Sequence, residues 1–174
     1  MKLGNWVQFG WDLSDLPVLG QELPEHYQIG PAGEEEAADL RKVISSSFVL
    51  DPSWNADLQE VTEMIDGWLA RAFESNGDHT CIALRHGTRI IGASVLCLDP
   101  EAENHLAPGP CIQMEYRNRS FGTLLLEHAL TSLREAGLSH ARTMAKEQTA
   151  ATRFLYPKFN GASAPHNFTP LLAA

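Results

Sequence analysis

Apolar residues recur at helical spacing in three long stretches of the chain and at strand spacing in shorter ones. Leu40, Ile44 and Phe48 return every four residues. That period predicts a helix opened by Gly33-Glu34-Glu35-Glu36, whose acids suit the positive end of a helix dipole. Asp51-Pro52 should break it. Asp57-Leu58-Gln59-Glu60 has the form of a capping box. Leu58, Val61, Ile65, Trp68 and Ala72 follow at steps of three and four, which predicts a second amphipathic helix ending near Asn76-Gly77. The third stretch, Thr123 to Ala136, sets Leu126, Ala129, Leu130 and Leu133 on one face and stops at Gly137. A last helix is expected over Thr149 to Phe159, shortened or bent at Pro157.

Strands are predicted at His26 to Ile29, at Thr80 to Leu84 and Arg89 to Leu98 as a hairpin around His86-Gly87, at Cys111 to Tyr116, and at Ala141 to Ala145. Asp99 to Pro110 reads as a loop. Residues 1–25 read as an N-terminal extension in which Trp6, Phe9 and Trp11 add an edge strand or cover a core face. Residues 26–174 read as a single domain. The element order implies a mixed α/β (α+β) layer fold with helices on both faces of one sheet.

Composition narrows the class. The chain has 174 residues, 44% of them hydrophobic and 20% charged, which suits one globular domain and excludes wholesale disorder. Thirteen Lys and Arg against 22 Asp and Glu give a formal charge of −9, which argues against nonspecific nucleic-acid binding and favours a neutral or cationic partner. No apolar run is long enough for a membrane helix, and the N-terminus has no secretory apolar region, so no membrane association and a cytoplasmic location are expected. Cys81, Cys97 and Cys111 are three in number, far apart and without a C-x-x-C pair. They read as reduced structural thiols, and Asn118-Arg119-Ser120 and Asn167-Phe168-Thr169 then carry no sugar. The seven histidines form no metal-ligand pair, so no metal is expected.

The informative segment is Tyr116-Arg117-Asn118-Arg119-Ser120-Phe121-Gly122-Thr123, which joins a predicted strand to a long helix. Amides at a helix start lack helical partners and carry a partial positive charge, so they suit a phosphate. Arg117 and Arg119 add donors, and Ser120 and Gly122 keep the backbone approachable. The spacing alone fits a solvated, capped helix start better. Arg117 to Gly122 resembles the acyl-CoA loop of the GNAT superfamily of N-acetyltransferases, Q/R-x-x-G-x-G/A, with Ser120 in place of the first glycine. Ile90-Ile91-Gly92 resembles the family's third-strand signature. Phe154 to Gly161 resembles its N-x-x-A-x-x-Φ-Y-x-K-x-G segment: Tyr156, Lys158 and Gly161 match, whereas Thr149, Thr152 and Ala162 stand where Asn, Ala and Phe are usual. The resemblance covers roughly residues 26–161.

The resemblance implies a central mixed sheet splayed between its fourth and fifth strands, with the pantetheine arm of acetyl-CoA in the gap. Ile112 and Met114 would line that arm. The amides of Arg117, Asn118, Arg119, Ser120, Phe121, Gly122 and Thr123 would hold the pyrophosphate. Tyr156 would protonate the departing thiolate, and Glu115, or else Glu147, would take the proton of an attacking amine. The acceptor would be a small molecule or a peptide, met by the first two helices and the 99–110 loop. The family adds two strands after the segment ending at Gly161. One strand is expected around Phe168 to Leu172, with the other supplied by the N-terminal extension or by a partner subunit in a homodimer, or absent. A rival class is a GNAT-like module that binds CoA without turnover. A third is an α/β interaction domain with no nucleotide pocket.

Overall fold

A computed structural model describes residues 6–49, 58–147 and 149–165. In chain order the elements are β1 (Trp6–Asp12), β2 (Tyr27–Pro31), α1 (Ala37–Val49), α2 (Leu58–Ala72), β3 (His79–His86), β4 (Arg89–Cys97), β5 (Cys111–Ile112), α3 (Phe121–Glu135), β6 (His140–Lys146) and β7 (Ala162–Pro165). The strands divide into two antiparallel sheets, ordered β2-β3-β4-β5 and β6-β1-β7. The single sheet expected from the sequence is therefore split, and the split falls between the fourth and fifth of its expected strands.

Period-two alternation assigns the two faces of the larger sheet. Cys81 and Ala83 of β3 pack with Leu40, Ile44, Val61 and Ile65 of α1 and α2. Ile82 and Leu84 face Leu125, Leu126, Leu130 and Leu133 of α3. In β4 the alternation is broken at Ile91: Leu84 pairs with Gly92 and Arg85 with Ile90, so Ile91 is an extra residue. This bulge turns Ile91 to the α3 side while Ile90 and Ala93 stay on the α1 side. Helices thus cover both faces, as a strand buried on each side requires. No described helix is long and apolar enough to cross a membrane.

Three expectations are corrected. The aromatic N-terminal segment is the middle strand of the second sheet and lies at no edge: Trp6 to Asp12 pair with Lys146 to His140, and Val7 to Gly10 with Pro165 to Ala162. Its Phe9 and Trp11 are buried in the same core as α3, so the other alternative, cover of a core face, holds. The strand predicted over Cys111 to Tyr116 ends at Ile112 and gives way to a 3-10 turn, Met114–Tyr116. The last helix is a π turn, Ala151–Leu155, followed by a 3-10 turn, Tyr156–Phe159. Pro157 has no N–H for an α-helical ladder and crowds the carbonyl a turn earlier, so the α ladder is lost and the segment divides into a wider π turn before it and a tighter 3-10 turn around it. The first helix opens at Gly33-Glu34-Glu35-Glu36 as expected, through a 3-10 turn, Glu34–Glu36, in which Glu36 accepts from the Gly33 amide at 3.3 Å. The expected strand at Phe168 to Leu172, the Asp51-Pro52 break and the Asp57 cap lie outside the described residues.

Candidate active site

The two sheets meet at a vertex and diverge from it. Upstream of β5 the chain runs along β4: Cys97 N–H donates to His105 C=O at 3.0 Å, Ala107 N–H to Val95 C=O at 3.1 Å, and Val95 N–H to Pro108 C=O at 3.2 Å. On its other side the same segment touches β6, where His105 N–H donates to Arg142 C=O at 2.7 Å and Thr143 Oγ1 to Leu106 C=O at 3.0 Å. Both contacts advance together along the sequence, so the segment and β6 run parallel. Beyond them β5 is the free edge of one sheet and β6 the free edge of the other, among the described residues. The result is a wedge that opens toward Ile112 and the end of β6.

Ladder geometry says which main-chain groups face the wedge. Gln113 N–H donates to Ile91 C=O at 2.8 Å. In an antiparallel pair this turns the N–H and C=O of Ile112 away from β4. The Ile112 carbonyl accepts from Arg117 Nε at 3.1 Å and from Ser47 Oγ at 3.4 Å. The strand edge is therefore polar and partly held by two side chains.

One rim of the wedge is the start of α3. Asn118 and Ser120 both adopt left-handed backbone angles, φ 63° and 66°. Ser120 occupies the N-cap but its side chain caps no amide. The first helical bond runs from Leu124 N–H to Ser120 C=O at 3.1 Å. The amides of Phe121, Gly122 and Thr123 have no main-chain partner among the described residues, as expected of a first turn. Lys158 Nζ donates to Thr123 Oγ1 at 3.1 Å and brings a cation to the same turn. Phe121 anchors the loop against Tyr27, whose ring stacks on His86 at 4.4 Å, and the Arg119 guanidinium lies 5.7 Å from the centre of the Tyr116 ring. Partnerless amides, a helix dipole and two arginines give this turn the chemistry that suits an anion.

The wall of the wedge carries Tyr156. Its ring packs edge-on against Phe9 and Trp11, each with centroids 5.3 Å apart, and Trp11 Nε1 donates to the Tyr156 carbonyl at 3.2 Å. The hydroxyl reaches Gly109, where a Cβ would overlap it. A Cβ on Gly161 would lie 2.6 Å from the Tyr156 carbonyl and 2.7 Å from Trp11 Nε1, so a side chain there would break the clamp. Burial, then the neighbouring Cys111 thiol, pushes the Tyr156 phenol above its ordinary value. It stays protonated at neutral pH. Burial likewise pushes Cys111 up to about 12, and its thiol donates to Gly109 C=O at 3.4 Å. Tyr156 and Cys111 are thus two neutral, buried donors beside Gly109.

The family model described as the Acetyltransferase (GNAT) family matches residues 39–161. The chain belongs to the GNAT acetyltransferase family. Among solved structures, a Drosophila protein aligns with a TM-score of 0.61 at 9% identity over 93% of this chain and 48% of its own. The PaiA N-acetyltransferase of Thermoplasma acidophilum, in complex with coenzyme A, aligns at 0.50 and 18% identity over 64% and 74%. A GNAT family acetyltransferase of Brucella melitensis, in complex with acetyl-CoA, aligns at 0.50 and 21% over 66% and 73%. These likenesses show the shared fold. The chain spans about half the length of the Drosophila protein. No curated protein matches the sequence.

Within this GNAT domain the expected site residues fall into two groups. Ile112, Arg117, Asn118, Arg119, Ser120, Phe121, Gly122 and Thr123 line the path from the β5 edge to the α3 start, and Tyr156 faces Gly109 from the wall. Met114 sits in the 3-10 turn and is 55% exposed. The Glu115 side chain is 66% exposed with Arg89 Nη2 3.6 Å away, and Glu147 is exposed at the end of β6. Thr149, at the usual Asn position, caps the last turn by accepting from Thr152 N–H at 3.3 Å. Sequence reasoning missed Trp11, Gly109 and His105. The aromatic run at Trp6 to Trp11 signals a buried strand, but nothing in the 99–110 loop marks the other two.

Proposed function

We propose that this chain is an acyl-CoA-dependent N-acyltransferase that moves an acetyl group from acetyl-CoA to an amine of a small molecule or peptide. The observation that carries this reading is the buried, protonated Tyr156 hydroxyl at Gly109, in a wedge whose rim holds free amides. The donor set fits the co-substrate: main-chain amides and arginines suit its diphosphate, and the outward Ile112 edge suits an amide-bearing arm. Arg117, Asn118, Arg119, Ser120, Phe121, Gly122 and Thr123 hold the anion, and Ile112 and Met114 line the arm. Bound acetyl-CoA supplies an activated carbonyl and a sulfur leaving group.

Tyr156 keeps its proton until sulfur departs and then donates it. An amine acceptor has an ordinary pKa of about 10.4 and must first lose a proton. Glu115 is the carboxylate offered by the loop after β5, and it accepts that proton from the solvent side. A second reading, a module that binds CoA without turnover, is favoured by the exposure of both Glu115 and Glu147. Release of free thiol from acetyl-CoA over a panel of amines, with the acylated product identified by mass, separates the two. Turnover on at least one amine is expected. Binding of acetyl-CoA without thiol release on any amine would establish the module instead.

A further inference from the structure

His105 is fully buried, and every polar atom it carries is used. Its main-chain N–H binds β6 and its C=O binds β4, through Arg142 and Cys97. Its ring does the same work again: Nδ1 accepts from Arg142 N–H at 2.9 Å, and Nε2 meets the Asp99 carbonyl at 2.9 Å. An amide can only donate and a carbonyl can only accept, so the ring is the neutral tautomer with its hydrogen on Nε2. One residue therefore joins the two sheets at the point from which the wedge opens. Thr143 Oγ1 supports it, sharing its one hydrogen between Asn104 Oδ1 and the Leu106 carbonyl, each 3.0 Å away.

We propose that His105 is a positioning residue for the thioester site: its neutral ring clasps the two sheets at the vertex and fixes the aperture of the wedge, and protonation releases the clasp. A ligand arm bonded between two strand edges needs about two strand spacings, ~10 Å. A change at the vertex is magnified toward the open end, where Ile112 and Tyr156 must both reach the ligand. On protonation Nδ1–H would confront Arg142 N–H, two donors with no acceptor between them. The charged side chains facing the ring are Asp99, from the loop after β4, and Arg142, from β6. Burial, the largest influence, holds the ring neutral; the charge of the Arg142 guanidinium acts the same way, and the charge of the Asp99 carboxylate acts against it. The neighbouring titratable group on β4, Cys97, is a neutral thiol raised by burial. This role rests on the acyl-CoA reading for its functional consequence but not for its geometry.

The test pairs wild type with His105→Asn, whose Oδ1 accepts where Nδ1 does and does not titrate. CoA affinity is measured by calorimetry at pH 8.0 and 5.5, and ring nitrogen shifts are recorded by NMR on the whole chain. The wild-type ring should show the Nε2–H tautomer at pH 7. Its affinity should fall about tenfold more between the two pH values than that of the variant, the loss expected for one buried hydrogen bond. The ligand's own phosphate titrates equally in both and cancels. An Nδ1–H or charged ring at pH 7, or parallel pH profiles, would overturn the clasp. If neither protein binds CoA at pH 8.0, the acyl-CoA reading fails, and the clasp is judged by the tautomer and by the pH dependence of melting. Should His105→Asn not fold, the wild-type tautomer and ring titration decide.

Discussion

Replacing Ser120 by glycine should stabilise the protein, although it removes a side chain from a helix cap. Ser120 holds φ 66° and ψ 11°, the left-handed region. For an L-residue that conformation costs about 1–2 kcal/mol. A serine usually recovers such a cost by capping an amide, but here its side chain caps none and is exposed. Glycine removes the strain and adds back about 0.4–1 kcal/mol through the freer unfolded chain. The net gain is about 0.5–1 kcal/mol. For a chain of this size 1 kcal/mol moves the melting temperature by about 2–4 °C, so Ser120→Gly should melt about 1–4 °C higher. Ser120→Ala keeps the strain and should melt within about 1 °C of wild type. Thermal denaturation followed by circular dichroism reads both. Melting of Ser120→Gly more than 2 °C below wild type, with Ser120→Ala unchanged, would refute the reasoning, because it would mean that no strain is stored there.

Tyr156→Phe should cut turnover by about 100-fold while leaving the CoA-induced melting shift intact, since it removes a proton donor and no wall of the wedge. Gly109→Ala should lower turnover as well, by displacing the same hydroxyl without touching Tyr156 itself; wild-type rates in that variant would break the link between them. Glu36 is held below its ordinary 4.5 chiefly by its hydrogen bonds to Arg85, at 2.7 and 2.8 Å. Its folded pKa is depressed, so its stabilisation is complete above pH 4.5 and fades as pH falls toward the lowered value. Glu36→Gln should therefore cost about 1 kcal/mol at pH 7 and much less near pH 3, as urea titrations at the two pH values would show. Burial raises the thiols of Cys81 and Cys111 to about 12, so a thiol reagent at pH 8 should leave both unmodified until the protein is unfolded.

The three long helices were legible because each buries one stripe, and a stripe at period 3.6 is visible in a linear string. The β3–β4 hairpin was legible because both strands are apolar and the turn at Gly87, with φ 62°, is local. The bulge at Ile91 was not, because it shows only against the partner strand. β1 was hidden for a related reason: its partners lie more than 120 residues away, and a middle strand with half-buried flanks reads like an edge. At the site, the α3 start was legible from Arg117 to Gly122, whose chemistry is written in consecutive residues. Tyr156 was reached through its own segment. Its surroundings were not, because Gly109 comes from a distant segment that carries no pattern, and the aromatic run at Trp6 to Trp11 signals burial without saying which side chain it meets. The splay between the fourth and fifth expected strands was reached through the family resemblance, but the residue at its vertex was not, because His105 sits in a loop without periodicity and its partners on β4 and β6 lie in distant segments.

The central position of β1 fixes the order in which the protein can be finished. A nascent chain exposes Trp6 to Asp12 first, but both neighbours of that strand belong to residues 140–146 and 162–165. During synthesis the early aromatic segment has no lattice to join, while the β2-β3-β4 half can already collapse on α1 and α2. Such long-range pairing delays folding and leaves an adhesive strand waiting. Both flanks of that strand are closed only once residues 140–146 and 162–165 are in place, and only then is the wall that carries Tyr156 complete.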